Sequence, residues 1–308
     1  MKSILKKVAG LAVTAALALG IMGCTVNVNT HEHTFATTYT CNETHHWHAA
    51  TCEHTTEVKG KAEHTFGEWT SNDDATTWAD GTRSRTCTAC SYKETVTDEG
   101  SKLPDYSISV VGDFILKDGS ILSKDSTPES GTVAAVIVRA AADGKPALGV
   151  GIVHNRNGLA WCTSSAAGYS KNITDLQGDQ TSGYMDGSGG WEILKTACSD
   201  AGEHPEYYPA WNYSLTYATT NGLTGDLADG WYLPTVAELY TIYQNKAAVD
   251  VSLSKAGGTQ FGRSWYWSCC QKPYDVNYAR GLYFGNGDMG IASKSIDSGY
   301  VCSVRAFN

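Results

Sequence analysis

Apolar and polar positions near the C-terminal end of the chain alternate in a way that predicts antiparallel hairpins. Between Trp265 and Phe307, apolar residues recur at wide intervals, and Gly285-Asn286-Gly287 has the residues of a hairpin turn. One face of such a hairpin packs inward, whereas the other face can carry almost any residue. We therefore expect a buried frame formed by Trp267, Ala279, Leu282, Phe284 and Val304.

Earlier in the chain, short apolar runs predict strands, and apolar residues that recur every three or four positions predict helices. Strands are expected at 106–111, 114–117, 132–139, 147–154 and 158–162, and the very apolar run 132–139 should be buried. Helices are expected to begin near Trp191, Tyr208 and Thr235. The third helix has the strongest signal, because Thr235 and Glu238 have the spacing of a capping box.

The first residues have the pattern of an export signal. Lys2, Lys6 and Lys7 precede an apolar run over 8–22, which is short for a membrane span, and 1–23 is interpreted as a signal peptide. The run ends in Ile21-Met22-Gly23-Cys24, which resembles a bacterial lipobox. We expect a lipid on Cys24 that anchors an exported protein to the outer membrane, at the cell surface. The alternative is ordinary secretion with a free thiol at this position.

Residues 24–102 differ in composition from 103–308, and we interpret the two segments as a repeat stalk and a main domain. Seven of the nine histidines lie in the first segment. His33-Thr34-Phe35 returns at 64–66, and Trp47 returns as Trp78, each displaced by 31 residues (64 minus 33, and 78 minus 47). The repeat predicts a tandem spacer between the anchor and the main domain.

Cysteine and histidine residues close each repeat, and their types suit zinc. Thiolate and imidazole are the ligands that tetrahedral zinc prefers, and the candidates are Cys52, His54, Cys87 and Cys90. A disulfide is the alternative, because export favours oxidised cysteines. A third alternative is that the repeat residues form no site.

Composition narrows the classes of function. Apolar residues make up 42% of the chain, enough for a packed core, whereas the net charge of −9 would repel the phosphates of nucleic acid. We therefore expect no binding of DNA or RNA. The expected partner is a protein or another surface ligand, and the expected state is a monomer.

The segment from Leu103 to Asn308 resembles a known family of variable proteins. The resemblance rests on Tyr266-Trp267-Ser268 with Gln271, on the spacing from Ala279 to Gly287, on 304–307, and on Gly230-Trp231-Tyr232-Leu233-Pro234-Thr235. This family comprises retroelement-diversified proteins with a C-type lectin fold of the formylglycine-generating-enzyme type. The resemblance implies an α+β, loop-rich fold and a variable region at about 265–305.

The same resemblance implies which positions contact the ligand. In such proteins, adenine-directed mutation changes asparagine-type codons while the frame residues persist. The positions between the frame residues should then lie together on one exposed side, with Tyr283 and Arg280 as the best single anchors. They are Cys270, Arg280, Tyr283, Gly285, Asp288, Gly290, Ile291, Ser293, Ser295 and Asp297. A constitutive adhesin or structural surface protein of the same fold is the alternative.

The fold is shared with an oxidase, so an enzyme is a further alternative. That enzyme uses two cysteines several residues apart, whereas Cys269 and Cys270 are adjacent here. No histidine follows His204, so a Cys-His pair would require His154 or His204 to fold against this stretch. The triplets typical of calcium-dependent sugar-binding lectins are also missing from the sequence. We expect a binding protein without catalytic residues and without a cofactor in this domain.

Overall fold

The computed structural model describes residues 31–308. The expected signal peptide and the lipidation position Cys24 lie outside these residues. The described chain divides into two compact units, one formed by 31–73 with 82–97 and the other by 74–81 with 98–308. None of the helices within residues 31–308 is long and apolar enough to cross a membrane.

The N-terminal unit consists of two three-stranded antiparallel sheets, one from each repeat. Within each sheet the strands lie side by side in chain order. The first sheet contains β1 (Thr40–Cys41), β2 (His45–Ala49) and β3 (Val58–Glu63). The second contains β4 (Thr70–Ser71), β5 (Thr82–Thr86) and β6 (Lys93–Thr97).

The two repeats correspond over their first strands but not over their tryptophans. In the first repeat Phe35 forms a β-bridge with Ala50, and in the second Phe66 forms the equivalent bridge with Cys87. The two phenylalanines are 31 residues apart in the chain (66 minus 35), whereas their bridge partners are 37 residues apart (87 minus 50). Trp47 lies half-buried in β2, whereas Trp78 lies in a turn and is 82% exposed. The predicted equivalence of Trp47 and Trp78 is therefore wrong, because the loop between the strands differs in length.

The C-terminal unit is α+β and contains a six-stranded and a five-stranded sheet. The six-stranded sheet has the order β12-β17-β10-β9-β7-β8, with the strands Phe114–Leu116 (β7), Ile121–Leu122 (β8), Val133–Arg139 (β9), Ala147–Gly151 (β10), Trp231–Tyr232 (β12) and Val304–Phe307 (β17). The five-stranded sheet has the order β11-β16-β13-β14-β15, with Asn155–Leu159 (β11), Trp265–Gln271 (β13), Tyr278–Tyr283 (β14), Asp288–Ser293 (β15) and Gly299–Val301 (β16).

Helices α1 to α6 lie in the chain between the first strand of the five-stranded sheet, β11, and its other four strands. Their bounds are Gly190–Ala197, Asp200–Glu203, Pro209–Leu215, Tyr217–Thr220, Val236–Gln244 and Lys246–Lys255. The three predicted helices are confirmed as α1, α3 and α5. Thr235 and Glu238 form the expected capping box at the start of α5. Helix α6 was not predicted, because its polar and apolar residues show little helical periodicity.

The strands expected at 114–117, 132–139 and 147–154 are confirmed, whereas the strand expected at 158–162 lies earlier, at Asn155–Leu159. The run 132–139 forms the fully buried strand β9 up to its last residue. The segment 106–111 was expected to be a strand, but it forms a 3-10 helix at Tyr106–Ile108. Asp105 accepts a hydrogen bond from the Ser107 backbone at the start of this helix, and this cap favours a helical turn over an extended chain.

Candidate ligand-binding face and metal ligands

The predicted frame of the C-terminal stretch is buried. Trp267, Ala279, Leu282 and Val304 are fully buried, and Phe284 is 1% exposed. The ring of Phe284 stacks on Phe261 with centroids 4.4 Å apart and lies 4.9 Å from the ring of Tyr266. This part of the prediction is confirmed, and it means that an apolar cluster fixes the backbone of β13 and β14.

Strands β14 and β15 form the predicted hairpin in a continuous antiparallel register. Tyr283 pairs with Asp288, Gly281 with Gly290, and Arg280 with Ile291. Paired residues share a face, and successive residues point to opposite faces. Tyr283, Asp288 and Gly290 therefore lie on one face of the hairpin, whereas Arg280, Ile291 and Ser293 lie on the other.

The predicted ligand positions are only partly exposed. Tyr283, Asp288, Ile291 and Asp297 are exposed, whereas Cys270 is fully buried and approaches the carbonyl of Tyr184. The half-buried members are Arg280, Gly285, Gly290, Ser293 and Ser295. The expectation of ten positions exposed together on one side is thus wrong, since the hairpin register divides them and Cys270 points into the core.

Trp265, which was not among the predicted ligand positions, lies at the centre of one of these faces. It pairs with Tyr283 across β13 and β14 and is half-buried. A Cβ atom added at Gly281 or Gly290 would lie 2.7 or 2.8 Å from its ring, so the indole covers the two paired glycines. We call the surface formed by Trp265, Tyr283, Asp288 and Gly290 the indole face. The glycines Gly281 and Gly290 were the available sequence signal, because paired glycines in strands often mark close approach of a ring.

Asp288 is held in place at the end of the hairpin turn. Asn286 donates a side-chain hydrogen bond to its carboxylate at 2.5 Å and accepts one from its backbone N–H at 3.1 Å. The backbone N–H of Gly287, whose φ is +80°, donates to the carbonyl of Tyr283 and closes the turn. The indole face therefore presents a carboxylate of defined orientation beside two aromatic rings.

Arg280 has a structural contact that sequence reasoning did not anticipate. Its Nη1 donates to the carbonyl of Gly178 at 2.5 Å, and its Nε is buried. The carbonyl of Arg280 accepts a hydrogen bond from the Ser268 hydroxyl. This arginine joins β14 to the loop around Gly178, so its side chain makes a contact within the protein and not with a ligand.

Lys294 is a second missed residue within the same stretch. It is fully buried, its ammonium donates to the carbonyls of Gly168 and Lys171 at 2.6 and 2.9 Å, and it lies 5.0 Å from the ring of Trp161. Burial lowers the pKa of Lys294 to about 8, although the nearby Cys162 opposes that shift. A polar residue between Ser293 and Ser295 gave no sequence signal of burial.

The adjacent cysteines of β13 are inaccessible. Cys269 and Cys270 are both fully buried, and burial raises the pKa of the Cys269 thiol well above its ordinary value. His154 packs against Phe261 and Tyr266, and burial lowers its pKa to about 3. His204 pairs with Glu206 on the surface. Neither thiol is exposed to solvent in this arrangement.

The four predicted metal ligands belong to two separate groups. Cys52 and His54 lie with His31 and His33, whereas Cys87 and Cys90 lie with His46 and His64. All four candidates thus lie in possible metal sites, two in each group, and each group is completed by two further histidines. Sequence reasoning missed the other four histidines because the strands, and not the spacing along the chain, bring them to the cysteines.

The comparisons with known proteins give little further information. No protein family matches the sequence, and no curated protein is similar to it. A fimbrial protein from Bacteroides ovatus has a crystal structure that is similar over 74% of this chain, with 10% identity and a TM-score of 0.47. The similarity covers 57% of the fimbrial protein, so this chain spans little more than half of its length. A similarity at this level supports no conclusion about fold family or function.

Proposed function

We propose that the C-terminal unit is a ligand-binding domain with a C-type lectin-like fold of the formylglycine-generating-enzyme type. In this proposal a retroelement diversifies residues 265–305, and the protein displays them on the bacterial cell surface from a lipid anchor at Cys24. The observation that carries the proposal is the separation of frame and surface within one short stretch. Phe284 is 1% exposed, whereas its neighbour Tyr283 is 38% exposed.

The indole face supports binding through its chemistry and its shape. Tyr283 and Trp265 offer aromatic surface with little conformational entropy to lose, and such residues dominate binding hot spots. Asp288 adds a negative charge that Asn286 orients. The ligand is therefore a surface with an apolar or planar group beside a hydrogen-bond donor or a cation.

Gly290 influences this face indirectly. Since a Cβ atom at this position would lie 2.8 Å from the Trp265 ring, any larger residue must displace the indole. Variation at Gly290 would thus change the shape of the face, while variation at Tyr283 and Asp288 would change its contacts. The frame residues Phe284 and Leu282 are buried, whereas Tyr283 and Asp288 are exposed.

The genetic code is compatible with adenine-directed change at the exposed positions. The asparagine codon AAC becomes a codon for Tyr, Asp or Ile by one adenine substitution each, and these are the residues at 283, 288, 297 and 291. The frame residue Trp267 cannot be reached from this codon by changing its adenines alone, because the only Trp codon, TGG, ends in G. Codon changes confined to the exposed positions would distinguish a diversified receptor from a constitutive adhesin of the same fold.

Sequencing the locus in many descendants of one cell tests the proposal. We expect a nearby template copy of the segment, a reverse-transcriptase gene, and substitutions confined to codons with adenines in the template. Those codons should include 283, 288, 291 and 297, while the codons of Trp267 and Phe284 stay constant. The absence of a template, or substitutions spread evenly over frame and surface codons, would contradict diversification.

A further inference from the structure

Eight histidine and cysteine side chains of the N-terminal unit gather in two groups of four. In each group the possible ligand atoms all lie within 4.8 Å of one another. We call the first group the exposed cluster, formed by His31, His33, Cys52 and His54. The second is the bridging cluster, formed by His46, His64, Cys87 and Cys90.

Distances in the bridging cluster fit a tetrahedral metal site. His64 Nδ1 lies 3.4 Å from Cys90 Sγ, and His46 Nδ1 lies 3.9 Å from Cys87 Sγ. Zinc binds sulfur at about 2.3 Å and imidazole nitrogen at about 2.0–2.1 Å, which places tetrahedral N and S ligands about 3.6 Å apart. The ligand atoms therefore already lie near the spacing that zinc requires.

Both repeats contribute to the bridging cluster. His46 lies in β2 opposite Ala62 of β3, and His64 directly follows β3. Cys87 and Cys90 lie in the loop between β5 and β6. A metal at this position would bind the first sheet and the second sheet at once.

Neighbouring groups orient the ligands of the bridging cluster. The Asn42 carbonyl lies 2.8 Å from His64 Nε2, so a proton on Nε2 leaves Nδ1 free to face Cys90. The Tyr92 ring stacks on His64 with centroids 4.6 Å apart. The Ala89 backbone N–H donates to Cys87 Sγ at 3.4 Å. Metal-binding imidazoles are commonly held in this way by a carbonyl on the far nitrogen.

Burial points to the same cluster. Within the described residues of the N-terminal unit, only His46, Ser84 and Cys87 are buried. Two of these three are ligands, so the centre of the unit is polar and offers almost no apolar core. Small domains without a sufficient core usually depend on a metal or on disulfides.

The exposed cluster has a different ligand set around one thiol. The three imidazole rings lie 4.6–5.1 Å apart by centroid, and Cys52 Sγ lies 3.5 Å from His33 Nδ1. Three imidazoles and one sulfur form a mixed set of the ligand types that zinc binds.

We propose that each cluster binds one zinc ion, and that the zinc of the bridging cluster ties the two repeats into a single unit. Mixed nitrogen and sulfur ligands in a tetrahedral arrangement favour zinc over magnesium or calcium, which prefer oxygen. The bridging cluster has two thiolates and buried ligands, whereas the exposed cluster has one thiolate. A chelator should therefore remove zinc from the exposed cluster first.

Metal counting on the full chain tests the proposal. Purified with zinc, the chain should hold two zinc ions, and His46→Ala or His33→Ala should each lower the content to one. His45→Ala and Cys41→Ser are matched controls, since they change a neighbouring histidine and cysteine outside both clusters, and should retain two. His46→Cys should also retain two, because it replaces one ligand by another.

Cobalt substitution gives a second readout. Since the bridging cluster has two thiolates and the exposed cluster one, sulfur-to-cobalt absorption in His33→Ala should be about twice that in His46→Ala. Loss of zinc in both His46→Ala and His46→Cys would show that His46 acts by packing, and would overturn the ligand assignment. A zinc-free chain with Cys87 and Cys90 in a disulfide by peptide mapping would overturn the proposal as a whole.

Discussion

The two units of this protein stabilise their folds by different means. In the C-terminal unit, buried aromatic and aliphatic side chains such as Trp161, Trp211 and Phe284 form a continuous core. In the N-terminal unit, the described buried side chains are His46, Ser84 and Cys87. The C-terminal unit gains its stability from apolar burial, whereas we infer that the N-terminal unit depends on bound metal.

This difference determines what each unit can change. In a unit with a large core, an exposed residue such as Tyr283 can be replaced at little cost in free energy of unfolding. In a unit whose centre consists of metal ligands, each ligand is required because removing it opens the site. Variation is therefore expected on the C-terminal unit and constancy in the N-terminal clusters.

Metal removal is expected to have the largest effect and to separate the two units most sharply. A strong chelator should abolish amide protection in 31–73 and 82–97, because binding free energy in a metal-dependent domain is folding free energy. Protection in β9 and β13 should stay unchanged. Hydrogen exchange with mass spectrometry measures both regions in one sample. Unchanged protection of the N-terminal unit after complete zinc loss would contradict the inference that this unit depends on bound metal.

Truncation of the frame should unfold the other unit instead. Phe284→Ala removes a buried ring that stacks on Phe261, and it should lower the free energy of unfolding by about 3–5 kcal/mol. Tyr274→Ala is the control, since Tyr274 is 96% exposed and should cost less than about 0.5 kcal/mol. Urea unfolding followed by tryptophan fluorescence measures both variants. Equal costs would show that Phe284 is not part of the frame.

The buried lysine should give the C-terminal unit an unusual dependence on pH. Because burial lowers the pKa of Lys294 to about 8, the folded chain binds fewer protons than the unfolded chain between this value and about 10.4. Stability relative to Lys294→Met should thus rise as pH increases through this window, by up to about 3 kcal/mol. Below pH 8 the difference should be constant. A flat difference at all pH values would contradict a lowered pKa of the buried Lys294 amine.

Arg280 should behave as a structural residue despite its place among the predicted ligand positions. Arg280→Ala removes the hydrogen bond to the Gly178 carbonyl and should cost about 1–3 kcal/mol. The exposed Arg263 provides a matched control, for which Arg263→Ala should leave the melting temperature almost unchanged. Thermal melts distinguish a structural role of Arg280 from a ligand-binding role. An equally small effect of Arg280→Ala would favour the ligand-binding role.

The sequence predicted the elements whose signals are local. The capping box at Thr235, the buried run of β9 and the turn at Gly285-Asn286-Gly287 each depend on neighbouring residues alone. The frame was also predictable, because apolar positions in a hairpin must face a core.

Residues that depend on contacts distant in the chain escaped prediction. Trp265 lies over Gly281 and Gly290 only because of the strand register, and Lys294 is buried by loops more than a hundred residues away. His46 meets Cys87 across 41 residues. Such positions follow from topology, which local patterns do not contain.

The central claim is that a fixed frame carries an exchangeable binding face. Selection of binders from two matched libraries tests this claim most directly. One library randomises Tyr283, Asp288 and Gly290 on the indole face. The other randomises the exposed residues Val251, Ser254 and Lys255 of α6, and lysozyme is the probe protein for both. The account predicts that the first library yields lysozyme binders whose melting temperatures match the parent, whereas the second yields none. Binders from the α6 library alone, or indole-face variants that unfold, would contradict it.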